Sequence, residues 1–246
     1  MSNVGATYTG INVNVSGSGG GSSAPEYEII YKASDTDAVS NLDPVGQMND
    51  LSGNDNHAVQ SSGALKAVYN SSDVSYNNEP SISFTLDWYR YNKVVPVNLS
   101  TGFTLWFVGS AIAGARLDLM STPLDVSVAI TFFEDFNYCR VRNTLSGASV
   151  TDQLSVPSND FENDAVWLLA GDGANITIYK NGAVVDTQTQ DVGNMLATHI
   201  GLRGTSVTTA GTLVEQRYKN AYSVSDLNTV GGELCTKYGF TWTTIV

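Results

Sequence analysis

No run of about eighteen apolar residues occurs in the 246-residue chain, so it has no segment suited to crossing a bilayer as a helix. Basic residues are scarce: 12 lysines and arginines stand against 24 aspartates and glutamates, a formal charge of −12. A surface of that sign repels phosphate backbones and anionic headgroups, which argues against nucleic acid and membrane insertion as modes of action. Cysteine is limited to Cys139 and Cys235, too few and too widely separated for a disulfide scaffold or a zinc ribbon. Two small buried side chains are the expectation, with one long-range disulfide as the alternative. The opening Met1-Ser2-Asn3-Val4-Gly5 has neither the basic nor the apolar region of a secretory signal, so work outside a cell would need a different exit.

What is present is β-rich and ordinary for a folded protein: 42% hydrophobic and 15% charged residues, in a length that suits one well-cored domain. Gly17 to Ser23 is glycine and serine only, and should behave as a flexible linker. Ahead of it lies an arm, residues 1–16, in which Tyr8 is followed by the alternating Ile11, Val13 and Val15. A lone strand is not stable in water, so this arm needs a partner. The expected organisation is therefore arm (1–16), linker (17–24) and a single β domain (25–246).

Strands are expected over Tyr27–Lys32, Pro80–Leu86, Phe103–Ser110, Val126–Phe133, Tyr138–Asn143, Ala165–Ala170, Ile176–Lys180, Val184–Gln188, His199–Arg203 and Leu213–Tyr218, separated by Gly, Asn and Asp. So many short strands point to a sandwich or barrel. Asp172-Gly173 and Asn181-Gly182 mark hairpins with type I′ chemistry. One helix is expected near the carboxyl end, capped by Ser225, with Leu227, Val230, Leu234 and Tyr238 on one side and Gly239 as its stop. Gly231-Gly232 weakens it.

Four segments between Asn41 and Phe240 resemble a known family. Asp50-Leu51-Ser52-Gly53-Asn54-Asp55-Asn56-His57-Ala58, followed by Glu79-Pro80-Ser81-Ile82-Ser83-Phe84, is similar to an opening of the form D-x-S-G-N-x-N-H-A and its next strand. Thr101 to Val108, Ala165 to Val185, and Ile200-Gly201 through Glu215 to Lys237-Tyr238-Gly239 match further strands and the closing helix. Together they resemble the concanavalin A-like lectin/glucanase superfamily, in particular laminin G-like domains of phage virion and bacterial surface proteins. The resemblance implies an all-β, two-sheet antiparallel jelly-roll sandwich with one short C-terminal helix. Such folds host glycan binders, glycosidases, adhesins and virion proteins alike, so the fold does not choose among them.

Chemistry must be sought residue by residue. Glucanases on this fold carry two glutamates on one strand face. Here Glu162-Asn163-Asp164 is followed by Trp167 where a second carboxylate would stand, and Glu134-Asp135 has no partner at a suitable spacing. Neither His57 nor His199 lies in a nucleophile motif, and no Gly-x-Ser-x-Gly elbow occurs. His57 reads as a loop hydrogen-bonding residue and His199 as a strand residue beside a sheet edge. Calcium is the one plausible metal, with Asp50, Asn54 and Asp55, or Asp118 and Asp125 around Pro123, as donors. Neither group has calcium-loop spacing, so solvated turns are expected and no cofactor is assigned.

The most suggestive cluster is Asp87-Trp88-Tyr89-Arg90-Tyr91-Asn92, where aromatics and planar polar groups alternate as a sugar site requires. Burial at the sandwich edge or against another subunit is the competing reading. Phe132-Phe133-Glu134-Asp135-Phe136-Asn137-Tyr138 invites the same pair of readings. The whole suits a non-enzymatic phage virion protein, a capsid decoration, head fibre or tail-associated subunit. It would be assembled in the host cytoplasm, oligomeric and joined to other virion proteins through its arm. A carbohydrate-binding adhesin and a polysaccharide-cleaving glycosidase are the alternatives. If the arm is an assembly element, light scattering will show an oligomer for the full chain and a monomer for a chain starting at Ala24; identical masses per particle would contradict it.

Overall fold

The computed structural model describes residues 27–85, 87–112, 116–121, 128–133, 138–143, 150–157, 160–201 and 210–246. The arm with Tyr8, Ile11, Val13 and Val15, the glycine-serine linker, Pro123, Asp125 and Glu134 to Asn137 lie outside them. In chain order the strands are β1 (Ile29–Lys32), β2 (Gln47–Met48), β3 (Ala58–Val59), β4 (Val68–Asp73), β5 (Glu79–Thr85), β6 (Trp88–Val97), β7 (Phe103–Ala111) and β8 (Arg116–Ser121). There follow β9 (Val128–Phe133), β10 (Tyr138–Asn143), β11 (Val150–Ser155), β12 (Ala165–Gly171), β13 (Asn175–Lys180), β14 (Ala183–Thr189), β15 (Met195–Gly201), β16 (Ala210–Lys219) and the helix α1 (Val224–Tyr238).

Two antiparallel eight-stranded sheets form a sandwich. The first runs β14-β13-β12-β7-β16-β5-β4, with β1 also on β16; the second runs β11-β10-β9-β8-β15-β6-β3-β2. Between them lies the main core, to which Phe84, Leu105, Phe107 and Trp167 contribute from the first sheet and Tyr89, Tyr91, Leu119 and Ile130 from the second. On the outer face of the first sheet, Trp106, Val108, Val166 and Leu168 meet α1 and the C-terminal tail in a second cluster. The first sheet is thus covered on both sides. That is why every residue of β7 and of β12 is buried and why both strands read as unbroken apolar runs.

Helix α1 presents Leu227, Val230, Leu234 and Tyr238 to this second cluster, as their spacing predicts, and burial contributes roughly 1.5–3 kcal/mol for each large apolar side chain. Gly239 ends it in the left-handed region at φ 82°. The cap differs from expectation: Ser223, not Ser225, accepts from the Asp226 N–H at 3.5 Å, and Ser225 lies inside the first turn. Beneath the helix the buried Glu215 carboxylate accepts from Arg217 Nε at 2.5 Å, Tyr238 Oη at 2.5 Å and Lys237 Nζ at 3.3 Å. Burial alone would raise its pKa; these partners, with Lys32, overcome that and hold it below the ordinary carboxylate value.

Asn181 and Gly182 both take positive φ, 49° and 84°, as a type I′ turn requires, and Gly182 also lets Thr243 of the tail approach. At the other hairpin only Gly173 is left-handed, at φ 91°, while the Asp172 carboxylate accepts from the Ala174 and Asn175 N–H groups; it is not type I′. Cys139 lies in the main core and Cys235 on the buried face of α1, on the far side of the first sheet; both are free thiols. Burial pushes the Cys235 thiol up to about 12.

The two helix glycines differ. A Cβ on Gly231 would stand 2.3 Å from the Trp242 ring, whereas one on Gly232 meets nothing within 4 Å. Gly232→Ala should therefore stabilise the protein by roughly 0.5–1 kcal/mol, and Gly231→Ala should destabilise it by about 1–3 kcal/mol. Opposite shifts in thermal midpoint are the expected result.

Candidate functional site

The two loop regions suspected of chemistry resolve differently. In the Asp50–Ala58 loop, Asp50 Oδ1 accepts from the Ile30 and Ser52 N–H groups, both at 3.0 Å. Its Oδ2 accepts from Ser52 Oγ at 2.8 Å and the Asn56 N–H at 3.0 Å. Asn54 and Asn56 donate through their amides to the Tyr27 and Glu28 carbonyls at 2.9 and 3.0 Å, and His57 Nδ1 accepts from the Asp50 N–H at 3.0 Å. The loop is a clamp on β1, its carboxylate saturated by chain donors, and His57 is the loop hydrogen-bonding residue expected of it. Asp55 is exposed and faces Lys93 at 3.6 Å. Asp118 is buried against the Thr131 hydroxyl. Among the described residues no group of three or more His, Cys, Asp or Glu is arranged to hold a metal.

The suspected carboxylate pair does not assemble either. Glu162 is exposed in the turn before β12, Asp164 accepts from the Tyr76 hydroxyl, and Trp167 packs in the main core against Phe161 at 4.7 Å. His199 is not beside a sheet edge. It sits on β15, between β8 and β6, and pairs with Ser121 and Arg90.

The Asp87–Asn92 cluster is divided by the two-residue period of β6. Tyr89 and Tyr91 point into the main core, 0% and 2% exposed. The Tyr89 hydroxyl accepts from the Ala67 N–H at 2.9 Å and donates to the Val45 carbonyl at 2.8 Å; that of Tyr91 donates to the Leu119 carbonyl at 3.1 Å. Burial raises both phenol pKa values. Asp87 is 4% exposed and accepts from the Thr85 N–H at 2.5 Å; burial pushes its carboxyl upward and that bond offsets part of the rise. The Asp87–Asn92 cluster expected from the sequence thus contracts: Trp88, Arg90 and Asn92 face outward, Tyr91 only floors the site, and Asp87 and Tyr89 belong to the interior. Tyr138 of the second aromatic run is also buried, beneath the Arg140 guanidinium at 4.7 Å.

Trp88 and Arg90, with Asn92, form one wall of a cleft of about 400 Å³ on the outer face of the second sheet. The other wall is Val59, Gln60 and Ser61, at and just beyond β3. Val59 is brought there by pairing with Arg90, and Gln60 bolts the walls together. Its amide donates to the Trp88 carbonyl at 2.7 Å and accepts from the Ser62 N–H at 2.8 Å. The Trp88 ring leans on His199, centroids 5.3 Å apart. Residues 91–94 of β6 lie opposite Thr198 alone, so the strand bulges beside the cleft, and the Asn92 N–H is taken by the His57 carbonyl at 2.9 Å. Such bulges re-aim side chains. The Trp88 indole N–H, the Arg90 guanidinium and the Asn92 amide make no hydrogen bond to any described residue. Nothing in the sequence marked Val59 to Ser61, because only long-range pairing brings them in.

No family model and no curated protein matches the chain. Among solved structures it is similar to the binding domain of botulinum neurotoxin DC in complex with SialylT, with a TM-score of 0.50 and 9% identity over 85% of this chain and 51% of that one. Trypanosoma rangeli sialidase gives 0.47 and 10% over 87% and 33%. Galectin LEC-6 of Caenorhabditis elegans gives 0.34 and 18% over 52% and 89%. The chain spans about half the length of the neurotoxin chains it matches. The neurotoxin likeness is one of fold alone, a two-sheet β-sandwich.

The clamp reading makes Asp50→Ala destabilising by about 2–4 kcal/mol, because several buried donors lose their acceptor at once. Urea denaturation should show this, with the wild-type midpoint unmoved by added calcium. A calcium-dependent rise in that midpoint would restore the metal reading.

Proposed function

We propose that this chain is a carbohydrate-binding module whose site is the Trp88 cleft. The observation that carries the reading is a half-buried indole beside two planar polar groups, Arg90 and Asn92, that have no partner within the described chain. Sugars offer apolar ring faces to aromatic side chains and hydroxyls to planar donors and acceptors, and the cleft supplies both on one rigid strand. The neurotoxin binding domain of similar fold is described in complex with SialylT; that likeness bears on architecture, and the sugar reading here rests on the cleft itself.

Binding rather than hydrolysis is proposed because Glu162 and Asp164 lie in the segment before β12 and do not share a strand face. The finer reading is a non-enzymatic phage virion subunit, a decoration, fibre or tail-associated protein. Its arm would dock on other virion proteins or on copies of itself by strand addition, leaving the sandwich outward. What supports it is the alternating Ile11, Val13 and Val15 ahead of a glycine-serine linker, together with the family resemblance; a bacterial surface adhesin would use the same cleft.

Trp88→Ala should weaken glycan binding by about 2 kcal/mol, roughly thirtyfold, while the protein stays folded. A glycan array followed by titration of the best ligand measures this, with circular dichroism as the folding control. Unchanged binding by a folded variant would move the site elsewhere.

A further inference from the structure

Arg90 differs from five described cations of this acidic chain that are engaged in ion pairs. Lys93, Lys180, Arg217, Lys219 and Lys237 each lie against a carboxylate. Arg90 is exposed in the cleft, and its strand neighbours are Val59 and His199 across the ladder and Trp88 and Asn92 along the same face, none of them acidic. The acidic residue nearest in sequence, Asp87, is buried and committed to the Thr85 N–H. With acidic residues outnumbering basic ones two to one, 24 to 12, a solvent-facing guanidinium without a carboxylate is a vacancy for an external anion.

We infer that the Trp88 cleft takes a sugar bearing a carboxylate, its ring on the indole and its carboxylate on the Arg90 guanidinium. This deepens, and rests on, the glycan reading above. The planar fork of arginine matches a carboxylate with two parallel hydrogen bonds, which a neutral hydroxyl does not reproduce. Alternate residues on one strand face are roughly 7 Å apart, so a ring over Trp88 brings a ring substituent within reach of Arg90. Asn92, next along the same face, is placed for a neighbouring hydroxyl. Among the described residues lining the cleft Arg90 is the one cation, and the chain as a whole carries a formal charge of −12. A densely sulfated polymer, which needs many cations, is therefore disfavoured against a sparsely charged acidic glycan.

The test is calorimetric titration of the full chain with sialyllactose and with a galacturonate trisaccharide, each beside its methyl ester, and with lactose and dextran sulfate. At least one acid should bind, its ester roughly tenfold or more weakly, and Arg90→Gln should lose the same factor while Arg90→Lys recovers part of it. Arg90 is exposed and unpaired, so these variants should keep the wild-type melting temperature. Equal binding of acid and ester, indifference to Arg90→Gln, or tight binding of dextran sulfate alone overturns the carboxylate assignment. If neither acid binds but neutral glycans bind in a Trp88-dependent way, the inference fails and the glycan reading stands. If neither these sugars nor a neutral glycan array gives binding, both fail.

Discussion

Alternate residues of a β-strand face opposite ways, and on β6 this one constraint makes both core and cleft. Tyr89, Tyr91, Val95 and Val97 fill the space between the sheets, so Trp88, Arg90 and Asn92 have nowhere to go but outward. The buried tyrosines are anchored twice over, by apolar packing and by hydroxyl bonds to the Ala67, Val45 and Leu119 backbones. A register slip of one residue would bury a guanidinium and expose two tyrosines, and the sandwich would lose both core and site. The outward row is held chiefly by this interior packing, with the Trp88 ring leaning on His199, while the Arg90 and Asn92 side chains make no hydrogen bond to a described residue.

The rest of the molecule supports that row from behind. The first sheet is sealed on its outer side by α1 and the tail, with the Glu215 network and the second apolar cluster fixing the helix. The second sheet then packs on a rigid partner, and the Asp50 clamp ties β1 and the β3 approach together. Gln60 completes the arrangement by joining the rim of β3 to the start of β6. A surface built on strands in this way would need little reorganisation to meet the proposed ligand.

Legibility in the sequence followed burial only in part: the buried β8 carried no recognised signal, while the exposed β14 was marked by its Asn181-Gly182 turn. β7 and β12 stood out because both faces of their sheet are covered, β10 was bounded correctly, and the Asn181-Gly182 turn and the helix stripe carry local chemistry that admits few alternatives. β4 and β11 were not recognised: Val68–Asp73 and Val150–Ser155 are polar strands at sheet edges, with little apolar signal. β6 was missed as a ten-residue strand because its bulge interrupts the alternation at Lys93 and because it contains Pro96. Its first residues were read as one aromatic patch, when the strand period separates them into interior tyrosines and an outward tryptophan and arginine. The far wall, Val59 to Ser61, carried no signal, since a two-residue strand is defined only by its partner.

On the proposal made above, a sugar meets this protein at the outward face of β6. The chain has four tryptophans, and two of them, Trp106 and Trp167, are fully buried. Each gives one indole N–H resonance in a nitrogen-15 correlation spectrum, so a titration with a bound glycan reports on the site directly. The Trp88 resonance should shift in a saturable way while those of Trp106, Trp167 and Trp242 stay in place. A glycan that binds while the Trp88 resonance does not move, or that moves Trp242 instead, would contradict it.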